Sequence, residues 1–286
     1  MTTSATTDRT TFPALTRPIR LIASDIDGTL LDSRELISPR TRKAIASAVK
    51  AGLWMVAATG RQITQIPEAL STGELTHVVG SNGAIGIEVA SGDLLFEEFL
   101  DPAVSAEIVA HLTSELEGVR FSAVRDRGRR HAAEPGYLDL LSPRELTFWR
   151  VETESLADLV ATPTLKLTAR HPELSADDLL DILDGSGLDG FHATTSGAPF
   201  LEIAGAGVTK ASGITRLCEH LGVERAEVLS AGDAKNDVEL IGWAGVGVAM
   251  GNAVPEAQAV ATWVTASNDQ DGVALAIEHV LAGQEN

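Results

Sequence analysis

Asp25 and Asp27 stand two residues apart at the end of an apolar run, in the stretch Leu21-Ile22-Ala23-Ser24-Asp25-Ile26-Asp27-Gly28-Thr29-Leu30-Leu31. Two carboxylates this close repel each other, and beside a buried strand they are costly unless something positive lies between or next to them. A divalent cation with oxygen ligands meets that need. The same pair suggests phosphoryl chemistry: Asp25 can attack an electrophilic phosphorus to give an aspartyl-phosphate, and Asp27 can protonate the leaving oxygen and then activate water. On its own, Asp-x-Asp-Gly is more often a loop-closing turn, because Asp and Gly favour turns. The rest of the chain has to discriminate.

The run before the aspartates, entered from Pro18 and left through Gly28-Thr29, reads as a buried parallel strand rather than a helix. In open α/β sheets the ligand crevice lies off the carboxyl ends of the strands, which puts Asp25 and Asp27 at its floor. Ser38-Pro39, the run from Arg40 to Ala51 and then Gly52 make a capped helix. Leu53 to Ala58 is a second buried strand that runs into Thr59-Gly60-Arg61. A right-handed strand–helix–strand unit of these lengths brings Thr59 near Asp25. The Thr59 hydroxyl, with the backbone N–H groups opening an expected helix from Gln62 to Leu70, suits phosphate oxygens, although Thr59 as an ordinary helix cap fits equally well. A third strand, His77 to Gly80, ends in Ser81-Asn82-Gly83-Ala84.

From Ile85 the texture changes to short strands of a half-exposed sheet: Ile85 to Val89, Leu94 to Leu100, Val119 to Val124, Phe148 to Val151, Leu165 to Thr168, Phe191 to Thr194 and Phe200 to Ala204. Helical patterns at Ala103 to Leu116 and Ala176 to Leu183 lie between them, which indicates an α+β domain with antiparallel pairing. The α/β rhythm resumes near Gly207. Thr209 caps a helix whose stripe is Ile214, Leu217, Cys218 and Leu221. Strands at Glu227 to Ala231, Val246 to Met250 and Thr262 to Thr265 follow, and a closing helix runs from Asp271-Gly272 to Leu281. The expected fold class is α/β, a doubly wound Rossmann-like core of residues 18–84 and 205–286 interrupted by an inserted α+β cap domain of residues 85–204. Residues 1–17, rich in Thr, read as a disordered tail.

With 286 residues, 44% of them apolar and 22% charged, the chain has the make-up of a soluble globular protein of one large or two ordinary domains. The formal charge of −18 argues against nucleic acid as a partner, because phosphate backbones are held by clustered Lys and Arg. It leaves small phosphorylated substrates open, since a local cation reverses the field in one cleft. No apolar stretch approaches the roughly twenty residues of a membrane span. The single cysteine, Cys218, fits a reducing cytoplasm and reads as a buried core thiol.

Four strand ends thus carry polar residues: Asp25 with Asp27, Thr59, Lys210 near a helix start, and Asp233 with Asn236 and Asp237. Together with Asn82-Gly83-Ala84, Gly207-Val208-Thr209-Lys210 and Asn268-Asp269-Gln270-Asp271-Gly272-Val273, this order closely resembles the haloacid dehalogenase-like (HAD) hydrolase superfamily. Within it, the match is to the Cof-type phosphatases with a C2B-like cap, and the resemblance spans Ile19 to Leu281. It implies that Asp25 is the nucleophile and Asp27 the general acid/base. Thr59, with Gly60 beside it, matches the group that binds the transferring phosphoryl, and Lys210 the cation that orients the nucleophile. Asp233 matches the acidic ligand of Mg²⁺, joined by the Asp25 carboxylate and the Asp27 carbonyl. Asn236, Asp237 and Asn82 match polar support, with Asp237 orienting Lys210 or a metal-bound water.

The function this implies is Mg²⁺-dependent hydrolysis of a small phosphorylated metabolite, a sugar phosphate or nucleotide-derived monophosphate, in the cytoplasm. Asp27 separates this branch from the dehalogenases, which resemble it without a second acid at that place. A phosphomutase, or a non-catalytic phosphometabolite binder on the same fold, are the alternatives, and a homo-oligomer is left open. In the cap, Arg125, Arg127, Arg129 and Arg130 form a basic loop that either touches substrate or is merely solvated. His131 and Lys166 are weaker candidates.

Overall fold

The computed structural model describes residues 11–66, 74–148 and 150–284. Its strands begin with β1 (Leu21–Ser24), β2 (Trp54–Ala58), β3 (His77–Gly80), β4 (Ile85–Glu88) and β5 (Leu94–Glu97). Next come β6 (Arg120–Arg125), β7 (Arg130–Ala133), β8 (Val151–Thr153), β9 (Lys166–Arg170), β10 (Phe191–Thr194) and β11 (Leu201–Gly205). β12 (Val228–Gly232), β13 (Val246–Ala249) and β14 (Trp263–Val264) follow. The chain divides into two compact units, one of Met1–Ala58, Ala69–His77 and Leu217–Asn286, the other of Thr59–Glu68 and Val78–Arg216.

In the first unit, strands lie side by side in the order β14-β13-β12-β1-β2, every pair parallel. All four residues of β1 are buried, as a strand covered on both faces requires. Its neighbours are β2, which follows it closely in sequence, and β12, from near the end of the chain. The strand order therefore turns at β1, and that is where such sheets open a crevice. Ser38 accepts the Thr41 N–H and Pro39 occupies the first turn, so the helix Pro39–Lys50 starts as expected and packs on the helix Gly272–Gln284. Phe12 stacks on His279 with ring centroids 4.9 Å apart and meets Trp263 edge-on at 5.1 Å, while residues 1–10 of the expected tail lie outside the described residues. Burial, with Glu219 and Glu227 nearby, pushes the Cys218 thiol up to about 12, so it stays protonated as a core group.

The second unit holds β3, β4 and β5 as neighbours and a separate sheet in the order β10-β11-β9-β6-β7-β8. Pairing in that sheet is antiparallel except between β7 and β8. Side chains alternate across it with a period of two. Phe121, Ala123, Ala132, Leu167, Ala169, Leu201 and Ile203 form one apolar face, packed with Ile108, Leu112, Leu159, Leu179 and Leu183 from the helices Pro102–Glu115, Leu156–Val160 and Ala176–Asp184. The alternate residues Ser122, His131, Lys166, Thr168 and Glu202 make the other face, and they too are buried. The expectation of a half-exposed sheet is thus corrected for the central strands β6, β9 and β11, whereas β8 and β10 at the edges are partly exposed. Several of these polar groups bond to one another: Ser122 Oγ lies 2.8 Å from His131 Nε2 and 2.6 Å from Thr168 Oγ1, which is 3.1 Å from the Tyr137 hydroxyl.

Two further expectations need correction. In place of a strand from Phe148 to Val151 there is a helix, Pro143–Phe148, followed by β8. Ser142 and Glu145 form a reciprocal cap around Pro143, with Ser142 N–H to Glu145 Oε2 at 2.7 Å and Glu145 N–H to Ser142 Oγ at 3.3 Å. The helix expected from Gln62 to Leu70 begins only as the short turn Ile63–Gln65. Ile66 is extended, as the residue before a proline prefers, and residues 67–73 lie outside the described residues. The α/β fold class, a Rossmann-like core with an inserted α+β cap, is as expected. No helix among the described residues is long and apolar enough to cross a membrane.

His131 gives the fold a testable pH dependence. Burial, and then the Lys166 charge, push its imidazole from 6.5 down to about 4. The unfolded chain therefore takes up this proton first as pH falls, so acid favours unfolding between those two values, and the cost is fully developed below the lower one. It is on the order of 3 kcal/mol. Urea unfolding followed from neutral pH to mild acid should show His131→Gln losing less stability than wild type across that window.

Candidate active site

Asp25 is the residue that follows β1, and it is only 5% exposed. Its N–H continues the strand ladder by donating to Ala231 O at 2.9 Å, which fixes where the carboxylate can stand. The chain then makes a wide turn over Ile26–Leu30, closed by Leu31 N–H to Ile26 O at 2.9 Å. Asp27 is exposed on this turn, in extended conformation. Gly28 has φ +69°, and a Cβ there would come within 2.3 Å of Asp233 Oδ2, so both conformation and space demand glycine.

Asp233 follows β12, in the same way that Asp25 follows β1. Thr29 Oγ1 donates to Asp233 Oδ1 at 2.8 Å. Asp237, fully buried, accepts the N–H groups of Asp233 and Ala234 on Oδ2, each at 3.0 Å, and so shapes the loop that presents Asp233. Asn236 is half-buried in the same turn, Lys235–Asp237. One carboxylate oxygen from each of Asp25, Asp233 and Asp237 lies within 4.8 Å of the others. Three like charges so close raise one another's energy unless a cation or protons intervene. An all-oxygen set with Asp25 and Asp237 buried is the donor chemistry of a hard divalent ion such as Mg²⁺, and these residues fit one.

The second unit holds the other candidates. Thr59, buried, directly follows β2, and its N–H donates to Val79 O at 2.9 Å. Its Oγ1 accepts the Arg61 N–H at 3.1 Å, and its carbonyl accepts the Asn82 N–H at 3.0 Å. Asn82 sits in left-handed conformation, φ 56°. The next residue, Gly83, passes so close to Thr209 that a Cβ would lie 1.9 Å from its carbonyl oxygen. Thr209 caps the helix Lys210–Leu221 through Ser212 N–H to Thr209 Oγ1 at 3.2 Å, and Lys210, its first residue, is buried. Thr59, Gly60, Asn82 and Lys210 therefore belong to the second unit, whereas Asp25, Asp27, Asp233, Asn236 and Asp237 belong to the first.

The basic loop resolves into a hairpin. Arg125 ends β6, buried, and pairs with Glu154 at 3.0 Å, while Arg130 opens β7 and pairs with Glu152 at 2.8 Å and with Glu154. Sequence reasoning missed Asn252. Its Nδ2 donates to Gly28 O at 2.8 Å and its Oδ1 accepts the Asn268 N–H at 3.0 Å, while Asn268 Nδ2 reaches Leu31 O at 2.9 Å. These bonds tie the turn carrying Asp27 to loops from the end of the chain. The available signal was a Gly-Asn pair just past the fifth strand of an α/β pattern, where ligand loops lie.

The family profile described as haloacid dehalogenase-like hydrolase matches residues 22–277. The chain belongs to that family of hydrolases, as its motifs led one to expect. It is 28% identical to the 5-amino-6-(5-phospho-D-ribitylamino)uracil phosphatase YwtE of Bacillus subtilis (strain 168), covering 93% of this chain and 99% of that one. It is also 28% identical to the phosphatase YwpJ of the same organism, over 92% of this chain and 100% of the relative. Among solved structures, the HAD subclass IIB sugar phosphatase BT4131 superposes with a TM-score of 0.80 at 23% identity, over 91% of this chain and 98% of the other, a likeness of fold.

The Gly28 contact is directly testable. Gly28→Ala should destabilise the protein by about 1–3 kcal/mol in urea unfolding, through strain at positive φ and the clash with Asp233. In an Asp233→Ala background the clash is gone, and the cost of the same substitution should fall to about 1 kcal/mol of backbone strain.

Proposed function

We propose that this hydrolase is a Mg²⁺-dependent phosphatase that cleaves a small phosphorylated metabolite, a sugar phosphate or nucleotide-derived monophosphate, through an aspartyl-phosphate on Asp25. The observation that carries it is the buried Asp25 carboxylate at the end of the central strand, with oxygens of Asp233 and Asp237 within 4.8 Å. In this proposal the Asp25 and Asp233 carboxylates and the Asp27 carbonyl hold the ion, and Asp237 keeps the Asp233 loop in place. When bound, the cation supplies charge neutralisation for the carboxylates and the phosphoryl oxygens.

The chain's own residues carry the steps. Asp25 attacks the phosphorus in line, and the leaving oxygen departs with a proton from Asp27, whose exposed position lets it reach solvent and substrate alike. Water, deprotonated by Asp27, then attacks the phosphorus of the acyl phosphate, which returns the Asp25 carboxylate and inorganic phosphate. Thr59 Oγ1 and the backbone at Gly60 bind the phosphoryl oxygens, and Lys210 offsets their charge. Asn236 and Asn82 support these groups. Residues 85–204, as the cap, select the leaving group. Among relatives, YwtE is named for a phosphoribitylamino-uracil, a monophosphate that joins a sugar-alcohol chain to a pyrimidine, which supports a small phosphorylated metabolite of that kind.

Turnover of p-nitrophenyl phosphate with Mg²⁺ should be abolished by a chelator and by Asp25→Asn. Asp27→Asn should slow turnover by roughly 10²–10⁴-fold while leaving the half-saturating Mg²⁺ concentration little changed, because its ligand there is a carbonyl. Activity that survives Asp25→Asn would remove the nucleophile, and isomerised sugar phosphate with little free phosphate would make the enzyme a mutase. A panel of phosphorylated metabolites then identifies the substrate.

A further inference from the structure

We propose that the buried Lys166–Glu202 pair anchors the Thr59-Gly60-Arg61 turn, which makes Lys166 a positioning residue for Thr59; the inference rests on the phosphate-binding role given to Thr59 above. Lys166 Nζ donates to Glu202 Oε1 at 2.6 Å and to the Gly60 carbonyl at 2.7 Å. Both side chains are almost fully buried, 6% and 2% exposed. They project from the adjacent antiparallel strands β9 and β11, on the polar face of the sheet. Among the described residues the second oxygen of Glu202 has no hydrogen-bond partner, so the carboxylate meets Lys166 alone and holds the ammonium in place.

A pair serving only the stability of the sheet has no need of a third partner outside it, yet this ammonium spends a hydrogen bond on the turn. Gly60 is enclosed as well as bonded: a Cβ there would lie 3.0 Å from Asn82 Oδ1 and 3.1 Å from Glu202 Oε1. Thr59 is tied to the same unit of backbone, with Arg61 N–H on its Oγ1 and Asn82 N–H on its carbonyl. Movement of the Gly60 carbonyl therefore carries the Thr59 hydroxyl with it. Small misplacements of a group that binds the transferring phosphoryl are costly to rate.

The double variant Lys166→Met with Glu202→Gln removes both charges at nearly constant size, so no lone buried charge threatens the fold. In hydrogen–deuterium exchange at neutral pH, its peptides covering residues 59–66 and 78–84 should exchange about fivefold faster than in wild type, with β12 unchanged. Half-inhibition of p-nitrophenyl phosphate turnover should need about fivefold more inorganic phosphate, and adding Thr59→Ala should cost less than the product of the separate effects. Unchanged exchange over residues 59–66 overturns the anchor, and fully multiplicative losses with Thr59→Ala overturn the positioning role. The exchange measurement needs neither substrate nor turnover. A wild type without phosphatase activity would therefore count against the function proposed above, while exchange still decides the anchor.

Discussion

Mutual repulsion among Asp25, Asp233 and Asp237 is the constraint around which the first unit is organised. Their oxygens are held within 4.8 Å of one another, a separation the chain would relax if it were free to do so. It is not free, because each carboxylate is fixed by a different kind of bond. Asp25 stands on the extension of the β1 ladder to Ala231, Asp233 is caught by Thr29, and Asp237 turns Oδ2 to two backbone N–H groups of its own loop. Charge concentration of this kind would preorganise the loops for the cation proposed above, since the cost of bringing the groups together is met on folding rather than on binding. The side chain missing at Gly28 is part of the same arrangement, because a Cβ there would collide with the Asp233 carboxylate.

The second unit solves a different problem, a sheet whose central strands are buried on both faces although one face is polar. Hydrogen bonds that link Ser122 with His131 and Thr168, and Thr168 with Tyr137, satisfy groups that would otherwise be expensive to bury. Lys166 and Glu202 neutralise each other at 2.6 Å. A buried pair like this contributes little net stability once desolvation is counted. Its value lies in direction: the ammonium is aimed at one carbonyl, and the imidazole of His131 near that charge is kept neutral. The hairpin arginines belong to the same economy of charge, since Arg125 and Arg130 are both taken up by glutamates from β8 and the residue after it.

Loops from the end of the chain complete the first unit. Asn252 and Asn268 bond to each other and to the carbonyls of Gly28 and Leu31, on either side of Thr29 and Leu30. The turn that carries Asp27 is therefore not self-supporting. Its shape depends on residues more than two hundred positions away, which couples the exposed aspartate to the integrity of the last loops and of the helix Gly272–Gln284 that follows.

Local physics in the sequence was enough for the parallel strands at Leu21 and Trp54, the Ser38-Pro39 helix start, the Thr209 cap and the α/β alternation, because apolar runs and capping residues act over a few positions. The motif order was enough for the family, and Asp25 with Asp233 was legible because both directly follow strands that proved adjacent. The helix Pro143–Phe148 was missed, because the stretch Phe148 to Val151 reads locally as a strand and the cap between Ser142 and Glu145 shows only in the structure. What only the tertiary structure decided is where polar side chains turn: Asp237 to the backbone, Asn252 to Gly28, Lys166 to Gly60, Arg125 to Glu154. Each of those choices depends on a partner brought close by packing, and spacing along the chain carries no record of which distant group will be within hydrogen-bonding distance once the sheets have formed.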